Sequence, residues 1–180
     1  MPIDMQQAWL LTAIPLFAFV VVSLFGKRIP RQGDWIVALA GFACFVISII
    51  FIIDFQSYFQ ASDFQPGSNN QYSFEWINIP NYLLIEYSTF VDAITIVMLF
   101  VVSLVGLMVI LYSIGYMHGE PRYNWYFSLL AFFLAAMFTL VTTGNLLQLY
   151  LAWEGVGLGS YLLIGFYWER QSAAEAAKKA

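Results

Sequence analysis

Residues 93–114 read AITIVMLFVVSLVGLMVILYSI, a run without any charged residue that decides the class of this fold. A helix of this length measures about 33 Å at a rise of 1.5 Å per residue, which matches the roughly 30 Å hydrocarbon core of a bilayer. Four similar runs accompany it, and the five predicted membrane-spanning helices are 9–25, 35–53, 93–114, 125–142 and 146–168. The sequence therefore predicts an all-α membrane protein whose residues 1–180 form a single membrane domain.

The composition supports this class and excludes several others. Hydrophobic residues make up 61% of the chain and charged residues 10%, whereas about 25% of the residues in a soluble domain are charged. Seven basic against eleven acidic residues form no positive surface for nucleic acid. The single Cys44 and the single His118 cannot supply a set of metal or iron–sulfur ligands. We therefore expect the lipid bilayer as solvent, no nucleic-acid partner, and no metal or other cofactor in this chain.

The basic residues predict the orientation of the helices. They follow the first, third and fifth predicted spans and are Lys27, Arg28, Arg31, Arg122, Arg170, Lys178 and Lys179. Basic residues concentrate on the cytoplasmic side of membrane proteins. We therefore predict an external amino terminus, a cytoplasmic carboxyl terminus and an external loop over residues 56–92, which contains no Lys or Arg.

Within that loop, residues 72–79 read YSFEWINI, in which aromatic residues alternate with polar ones. Pro80 and Asn81 then supply a turn signal, and residues 82–85 are again largely apolar. This pattern predicts a small β-hairpin between the second and third helices. A hairpin that caps the helix bundle is favoured over one that binds a ligand. The Ala-rich tail from Gln171 is typical of a helix, either along the membrane surface or opening a sixth span.

Glu154 is the candidate functional residue, because it stands near the middle of the fifth predicted span. A carboxyl at that depth is costly, so ionisable residues there face the interior of a bundle and mark proton or ion paths. Candidate supporting residues are Tyr150, Gly155, Gly157, Tyr161, Lys178 and Lys179. Gly155 and Gly159 form a small-residue pattern that favours close helix packing. The sequence predicts Asn145 as the amino-terminal cap of the fifth helix.

Five segments of the chain resemble a known family. They are Val91–Thr95, Tyr112–Glu120, Asn145–Leu149, Trp153–Phe166 and Ala176–Ala180, of which the WEGVGLGSYLLIGF run at 153–166 is the most specific. These segments are similar to the subunit L family, the antiporter-like membrane subunits of respiratory NADH-quinone oxidoreductase (complex I). Relatives often carry an acidic residue where Gly144 stands and a cysteine where Gly159 stands.

The resemblance implies a role for the chain and for Glu154. Glu154 would correspond to the family's essential glutamate, which pairs with a lysine on a later helix. The chain would couple electron transfer from NADH to quinone to proton pumping, as one subunit of a translocase in the bacterial plasma (inner) membrane. FMN, iron–sulfur clusters and quinone would lie in the other membrane and peripheral subunits of complex I. Family members are much longer, so we expect a fragment, a split subunit or a partial sequence.

Two alternatives remain open at this point. The related large subunits of multi-subunit sodium/proton antiporters, membrane-bound hydrogenases and inorganic-carbon uptake complexes resemble the same region and share the glutamate. Alternatively, the chain is a structural or assembly module of the membrane without a transport role of its own. The subunits that co-purify with the chain would distinguish the first alternative from a subunit of complex I. A substitution of Glu154 would distinguish the second alternative from a transport role.

Overall fold

The computed structural model describes residues 5–60, 71–79 and 83–179. In chain order the helices and strands are α1 (Trp9–Phe25), α2 (Asp34–Gln60), β1 (Gln71–Ile79), β2 (Leu83–Phe90), α3 (Ala93–Tyr116), α4 (Tyr123–Thr142), α5 (Leu146–Ile164) and α6 (Gln171–Lys179). Short 3-10 helices precede α1 (Met5–Ala8), join α1 to α2 (Pro30–Gly33) and follow α5 (Gly165–Tyr167).

Helix α4 is the centre of the bundle. It packs most extensively against α1, and it also contacts α5, α3 and α2, while α2 packs along α3. Phe127 and Phe138 of α4, Phe51 of α2 and Leu99 of α3 are completely buried. Lipid tails are as apolar as these side chains, so close van der Waals packing holds such helices together in a bilayer.

Four of the described helical segments are long and apolar enough to cross a membrane. They are Pro30–Phe55, Ala93–Tyr116, Tyr123–Thr142 and Leu146–Tyr167. Helix α1 is equally apolar but has 17 residues, a length of about 25 Å. The structure therefore describes four full-length candidate spans and one shorter apolar helix, where the sequence predicts five spans.

The predicted β-hairpin is present. Strands β1 and β2 pair antiparallel from Gln71 opposite Phe90 to Ile79 opposite Leu83, with an irregularity between Glu75 and Ile77. A bulge of this kind bends a strand and increases its twist. The second strand extends to Phe90, well beyond the predicted 82–85, because the polar residues Glu86 to Thr89 pair with β1 although they interrupt the apolar run.

The loops gather at two ends of the bundle. At one end, which we call the hairpin end, the Met5–Ala8 helix contacts both strands and Thr143 pairs with Thr89 of β2. At the other, which we call the basic end, Lys27, Arg122 and Lys178 line one cavity. The described parts of the segments predicted to be external thus share one end, and the basic residues that the structure places in this cavity share the other.

Most predicted helix limits agree with the structure, and two differ. The external loop does not begin at residue 56, since α2 continues to Gln60; residues 54–60 are more polar but contain no Gly or Pro to stop a helix. The fifth helix was expected to reach residue 168, but the α-helix ends at Ile164 and a 3-10 turn follows. The tail forms a short helix, α6, as its composition predicts.

Candidate functional site

The fifth helix begins at a well-formed cap. The Asn145 side-chain oxygen accepts a hydrogen bond of 2.8 Å from the Gln148 amide, so the predicted cap is confirmed. Glu154 stands eight residues after Leu146, about 12 Å along the helix axis. The opposite end of α5, at Ile164, lies about 15 Å further on. The carboxyl therefore lies near the middle of the helix.

One face of α5 packs tightly on α4. Gln148, Ala152 and Gly159 are buried there. A Cβ atom at Gly159 would lie 3.0 Å from Cδ2 of Phe133, and one at Gly155 would lie 3.3 Å from the Ala136 Cβ. Both glycines of the predicted small-residue pattern therefore face α4 and allow the two helices to approach closely.

The other face of α5 is open and carries Glu154. Tyr150 is 60% exposed and Tyr161 47% exposed, and a Cβ placed at Gly157 would meet no described atom within 4 Å outside its own stretch of α5. The exposed neighbours are large and apolar, among them Leu147, Trp153 and Leu158. The structure thus gathers Glu154, Tyr150, Gly157 and Tyr161 on an apolar surface, and it directs Gly155 toward α4 instead.

Among the described residues, the group that interacts with the Glu154 carboxyl is the phenol of Tyr150, one helical turn away. Among the ion pairs between described residues, none includes Glu154. An ion at this depth needs compensation by a nearby group of opposite charge.

Lys178 and Lys179 are not brought to Glu154. Helix α6 packs at the basic end, where the Ala177 Cβ lies 3.2 Å from a Cβ placed at Gly165. Gly165 is eleven residues beyond Glu154, about 16 Å along the helix axis. Any contribution of the two lysines to the chemistry of Glu154 would therefore act over a distance.

A polar junction at the hairpin end was not predicted. Asn145 Nδ2 donates to the Glu86 carbonyl over 2.7 Å and to Ser88 Oγ over 3.3 Å. The Ser88 amide donates to Gln148 Oε1 over 3.0 Å, and the Gly144 amide donates to the Ser88 carbonyl over 3.0 Å. Asn145 thus caps α5 and ties it to β2 at the same time. Sequence periodicity does not reveal contacts between residues about 60 positions apart.

A second polar cluster lies at the basic end around Asp34, a buried residue that sequence analysis did not single out. Its Oδ2 accepts hydrogen bonds from the Tyr123 hydroxyl over 2.9 Å and from Arg31 over 3.1 Å. A negative charge is favoured at the start of a helix. The position of Asp34 directly after Gly33 and before the apolar run could therefore have indicated that it begins α2. Asp34 therefore connects the start of α2 to the start of α4.

Among the described residues at the basic end, a second ion pair joins Arg122 to Glu169. Arg122 Nη2 donates to both carboxylate oxygens of Glu169 over 2.9 Å, and its guanidinium lies 3.7 Å from the centre of the Trp168 ring. A hydrogen bond from the backbone of Glu169 itself, together with that from Arg122, lowers the pKa of Glu169 below its ordinary value of 4.5. Glu169 is therefore held in its ionised form next to Arg122.

These features define a helical membrane protein that presents one mid-helix acid on an open apolar face. Two family models match the chain. One, described as the N-terminus of chain 5 of NADH-ubiquinone oxidoreductase (complex I), covers residues 76–127. The other, described as the transmembrane region of NADH:quinone oxidoreductase and the Mrp antiporter, covers residues 143–180 and so includes Glu154.

Curated relatives agree with both models. NADH-quinone oxidoreductase subunit L of Mycobacterium tuberculosis is 36% identical over 97% of this chain and 27% of its own length. Chloroplastic NAD(P)H-quinone oxidoreductase subunit 5 of Ipomoea purpurea is 35% identical over 97% of this chain and 24% of its own length. F(420)H(2) dehydrogenase subunit L of Methanosarcina mazei is 38% identical over the same two shares. The chain therefore spans about a quarter of the length of the curated relatives it matches.

A solved structure has the same fold. It is a chain of the membrane-bound sulfane sulfur reductase, an archaeal respiratory membrane complex, with a TM-score of 0.74 over 97% of this chain and 33% of that one, at 18% identity. The present chain belongs to the family of antiporter-like membrane subunits that includes subunit L, or chain 5, of NADH-quinone oxidoreductase.

Proposed function

We propose that the chain is a proton-translocating, antiporter-like membrane subunit of a respiratory complex of the NADH-quinone oxidoreductase type, and that Glu154 binds and releases the translocated proton. The single observation that carries this proposal is the position of Glu154, in the middle of α5 on a face where no basic group of the described residues forms an ion pair with it. Family membership supports it, since the matched region 143–180 contains this residue.

The open face of α5 indicates how the site is completed. A carboxylate in the hydrocarbon region needs a cation or a proton, and the described residues supply neither a lysine nor an arginine beside it. We infer that another helix, of this protein or of a partner subunit, covers Tyr150, Glu154 and Tyr161 and brings the basic group. Moving one charge across a potential of 100 mV costs about 2.3 kcal/mol. A switch of a few kcal/mol in the pairing of Glu154 is therefore enough to release a proton against such a potential.

We further propose five membrane spans with the amino terminus outside the cell and the basic end in the cytoplasm of a bacterial cell. Helix α1 would be the span that is missing from the four longer ones. The 3-10 helix Met5–Ala8 that precedes it adds about 8 Å at 2.0 Å per residue. Together they measure about 33 Å. The basic residues at one end support the orientation, by the tendency of Lys and Arg to remain inside.

In this proposal the redox chemistry belongs to partner subunits, which would carry FMN, iron–sulfur clusters and the quinone site. A second candidate is the large subunit of a sodium/proton antiporter or of a complex with another electron donor. Two comparisons support this second candidate. One is the family model whose description names the Mrp antiporter, and the other is the relative named as a subunit of F(420)H(2) dehydrogenase. Co-purification decides: iron–sulfur subunits with quinone reductase activity support the first candidate, and cation exchange without an electron donor supports the second.

The substitution Glu154→Gln tests the role of the carboxyl. It keeps the size and the hydrogen-bonding capacity of the side chain and removes its ability to ionise. We expect the complex to assemble and NADH-driven proton uptake into inverted vesicles to be lost, as measured with a pH-sensitive dye. Glu175→Gln is the matched control, because Glu175 is exposed on α6 and bonds only its neighbour Gln171 among the described residues.

Each result of this experiment has a clear meaning. Loss of proton uptake in Glu154→Gln, with normal assembly and normal uptake in Glu175→Gln, supports the proposal. Normal uptake in Glu154→Gln would favour a structural module without a transport role. The same loss in both variants would mean that charge in general, rather than this carboxyl, matters for pumping.

A further inference from the structure

A cavity of about 750 Å³ lies at the basic end, between α1, α4, α5 and α6. Its wall includes three basic residues from distant parts of the chain, which are Lys27 after α1, Arg122 before α4 and Lys178 in α6. Three cations that converge on one space repel each other unless an anion joins them. Glu154 itself does not line this cavity, although Tyr161, two turns further along α5, does.

The positive charge of this cavity is only partly neutralised. Glu169 pairs with Arg122 through Nη2, whereas Arg122 Nη1 is buried and has no hydrogen-bond partner among the described residues. Neither Lys27 nor Lys178 forms an ion pair with any described residue. A buried donor without an acceptor points to a group that the described residues do not provide.

The remaining wall is apolar and aromatic. Trp125, Tyr161, Phe166 and Trp168 line the cavity, and Trp125, Tyr161 and Trp168 are also partly exposed on the surface of the chain. Tryptophan and tyrosine concentrate at the level of the lipid headgroups. A ligand that fits both parts of the wall carries a negative group for the cations and an apolar group for the rings.

We propose that this cavity binds a phosphate ester group, provided by an anionic phospholipid of the surrounding bilayer. Basic pockets between helices on the cytoplasmic side of membrane proteins bind such headgroups. Arg122 is held in place by Trp168 and Glu169, so it is preorganised as the fixed donor. Lys27 and Lys178 close on the phosphate from α1 and α6, and the lipid thereby connects the first and last described helices.

Binding is measured on the chain as purified from membranes, together with any subunits that accompany it. The sample is placed in phosphatidylcholine nanodiscs that contain increasing amounts of phosphatidylglycerol, and retained lipid is identified by native mass spectrometry. A salt concentration above about 0.3 M screens general attraction to the anionic surface. In a second arm, inorganic phosphate is added as a competitor to the nanodiscs that contain phosphatidylglycerol, because it has the same charged group without the acyl chains.

The matched variants are Lys27→Gln and Arg28→Gln. Both residues are exposed neighbours after α1, but only Lys27 lines the cavity. We expect Lys27→Gln, and likewise Lys178→Gln, to weaken retention of phosphatidylglycerol about tenfold. The reason is that a hydrogen bond to a charged group strengthens binding by about this factor. Arg28→Gln should leave retention close to that of the unchanged protein.

The outcomes separate the proposal from its alternatives. Retention that depends on Lys27 but not on Arg28, and that inorganic phosphate does not displace, supports a lipid ligand. Displacement by inorganic phosphate, with the same dependence on Lys27, keeps the phosphate site and identifies free phosphate as its source. Equal retention by all variants, or no retained phosphate group of either kind, overturns the proposal.

Discussion

Asn145 offers the most informative single substitution in this structure, because one side chain holds two elements. Its oxygen caps α5 at the Gln148 amide, and its amide nitrogen donates to the Glu86 carbonyl of β2. In Asn145→Ala both interactions are lost. Loss of an amino-terminal cap costs about 1 kcal/mol, and loss of a typical hydrogen bond costs about 1 kcal/mol. We expect the free energy of unfolding to fall by about 2 kcal/mol.

Asn145→Asp separates the two contributions. Aspartate caps a helix as well as asparagine does, but it has no amide to donate to Glu86. We therefore expect it to lose only the contact with β2, about 1 kcal/mol. Unfolding is followed in mixed micelles with increasing sodium dodecyl sulfate. Hydrogen exchange at the Gln148 amide reports on the cap, and exchange within β2 reports on the strand.

The pattern across the two variants is what tests the reasoning. Asn145→Ala should accelerate exchange both at Gln148 and in β2, and Asn145→Asp should accelerate it in β2 alone. If the two variants unfold with equal free energies, the cap contributes nothing to stability. If exchange in β2 is unchanged in both, the hydrogen bond to Glu86 does not hold the hairpin, and the junction described above is not what joins it to α5.

Two further predictions concern helix packing and pH. Gly159→Ala should be about 1–3 kcal/mol less stable than Gly157→Ala. Both variants gain the same helix propensity, but only the first places a methyl group 3.0 Å from Phe133 and overpacks the contact with α4. Unfolding in mixed micelles measures the difference in stability. The pKa of Glu169 is lowered in the folded chain, so its stabilising effect is complete above the ordinary value of 4.5 and is lost as the pH falls through the folded-state value. The protection of the α6 amides, which is their exchange rate relative to an unfolded chain at the same pH, should therefore decrease below pH 4.5, and Glu169→Gln should remove this dependence.

The controls for these two predictions are contained in the same chain. Equal stabilities of the two alanine variants would mean that α4 and α5 separate freely and that Gly159 is not needed for their approach. For the pH effect, Glu175→Gln should keep the dependence, because Glu175 does not contact Arg122. If Glu169→Gln keeps it as well, another carboxyl controls α6.

Local patterns in the sequence were enough to predict the helices and the hairpin. The limits of α1 agree with the predicted 9–25 because its apolar run and its helix begin and end at the same residues. The two properties differ at α2, where hydropathy drops at Asp54 but the helix continues to Gln60. Hydropathy reports the solvent of a segment, whereas helix propensity and the absence of Gly or Pro determine where the helix ends.

The sites depend on contacts that no local pattern contains. The depth of Glu154 and the cap at Asn145 follow from spacing along one helix, and the sequence predicts both. Three other features join segments that are distant in the chain. They are the attachment of Asn145 and Gln148 to β2, the hydrogen bond between Asp34 and Tyr123, and the cavity that Lys27 and Lys178 both line. Composition does not reveal which polar residues meet, because many arrangements of the same helices would satisfy it.

The junction between β2 and the start of α5 has a mechanical consequence. The hydrogen bonds of Gly144, Asn145 and Gln148 join the start of α5 directly to β2, so we expect a tilt of α5 at that end to move the hairpin with it. A movement of α5 that starts around Glu154 would then be visible as a displacement of the hairpin. A spectroscopic label on an exposed residue of β1, such as Trp76, would therefore report the tilt of α5 without any change to the helix itself.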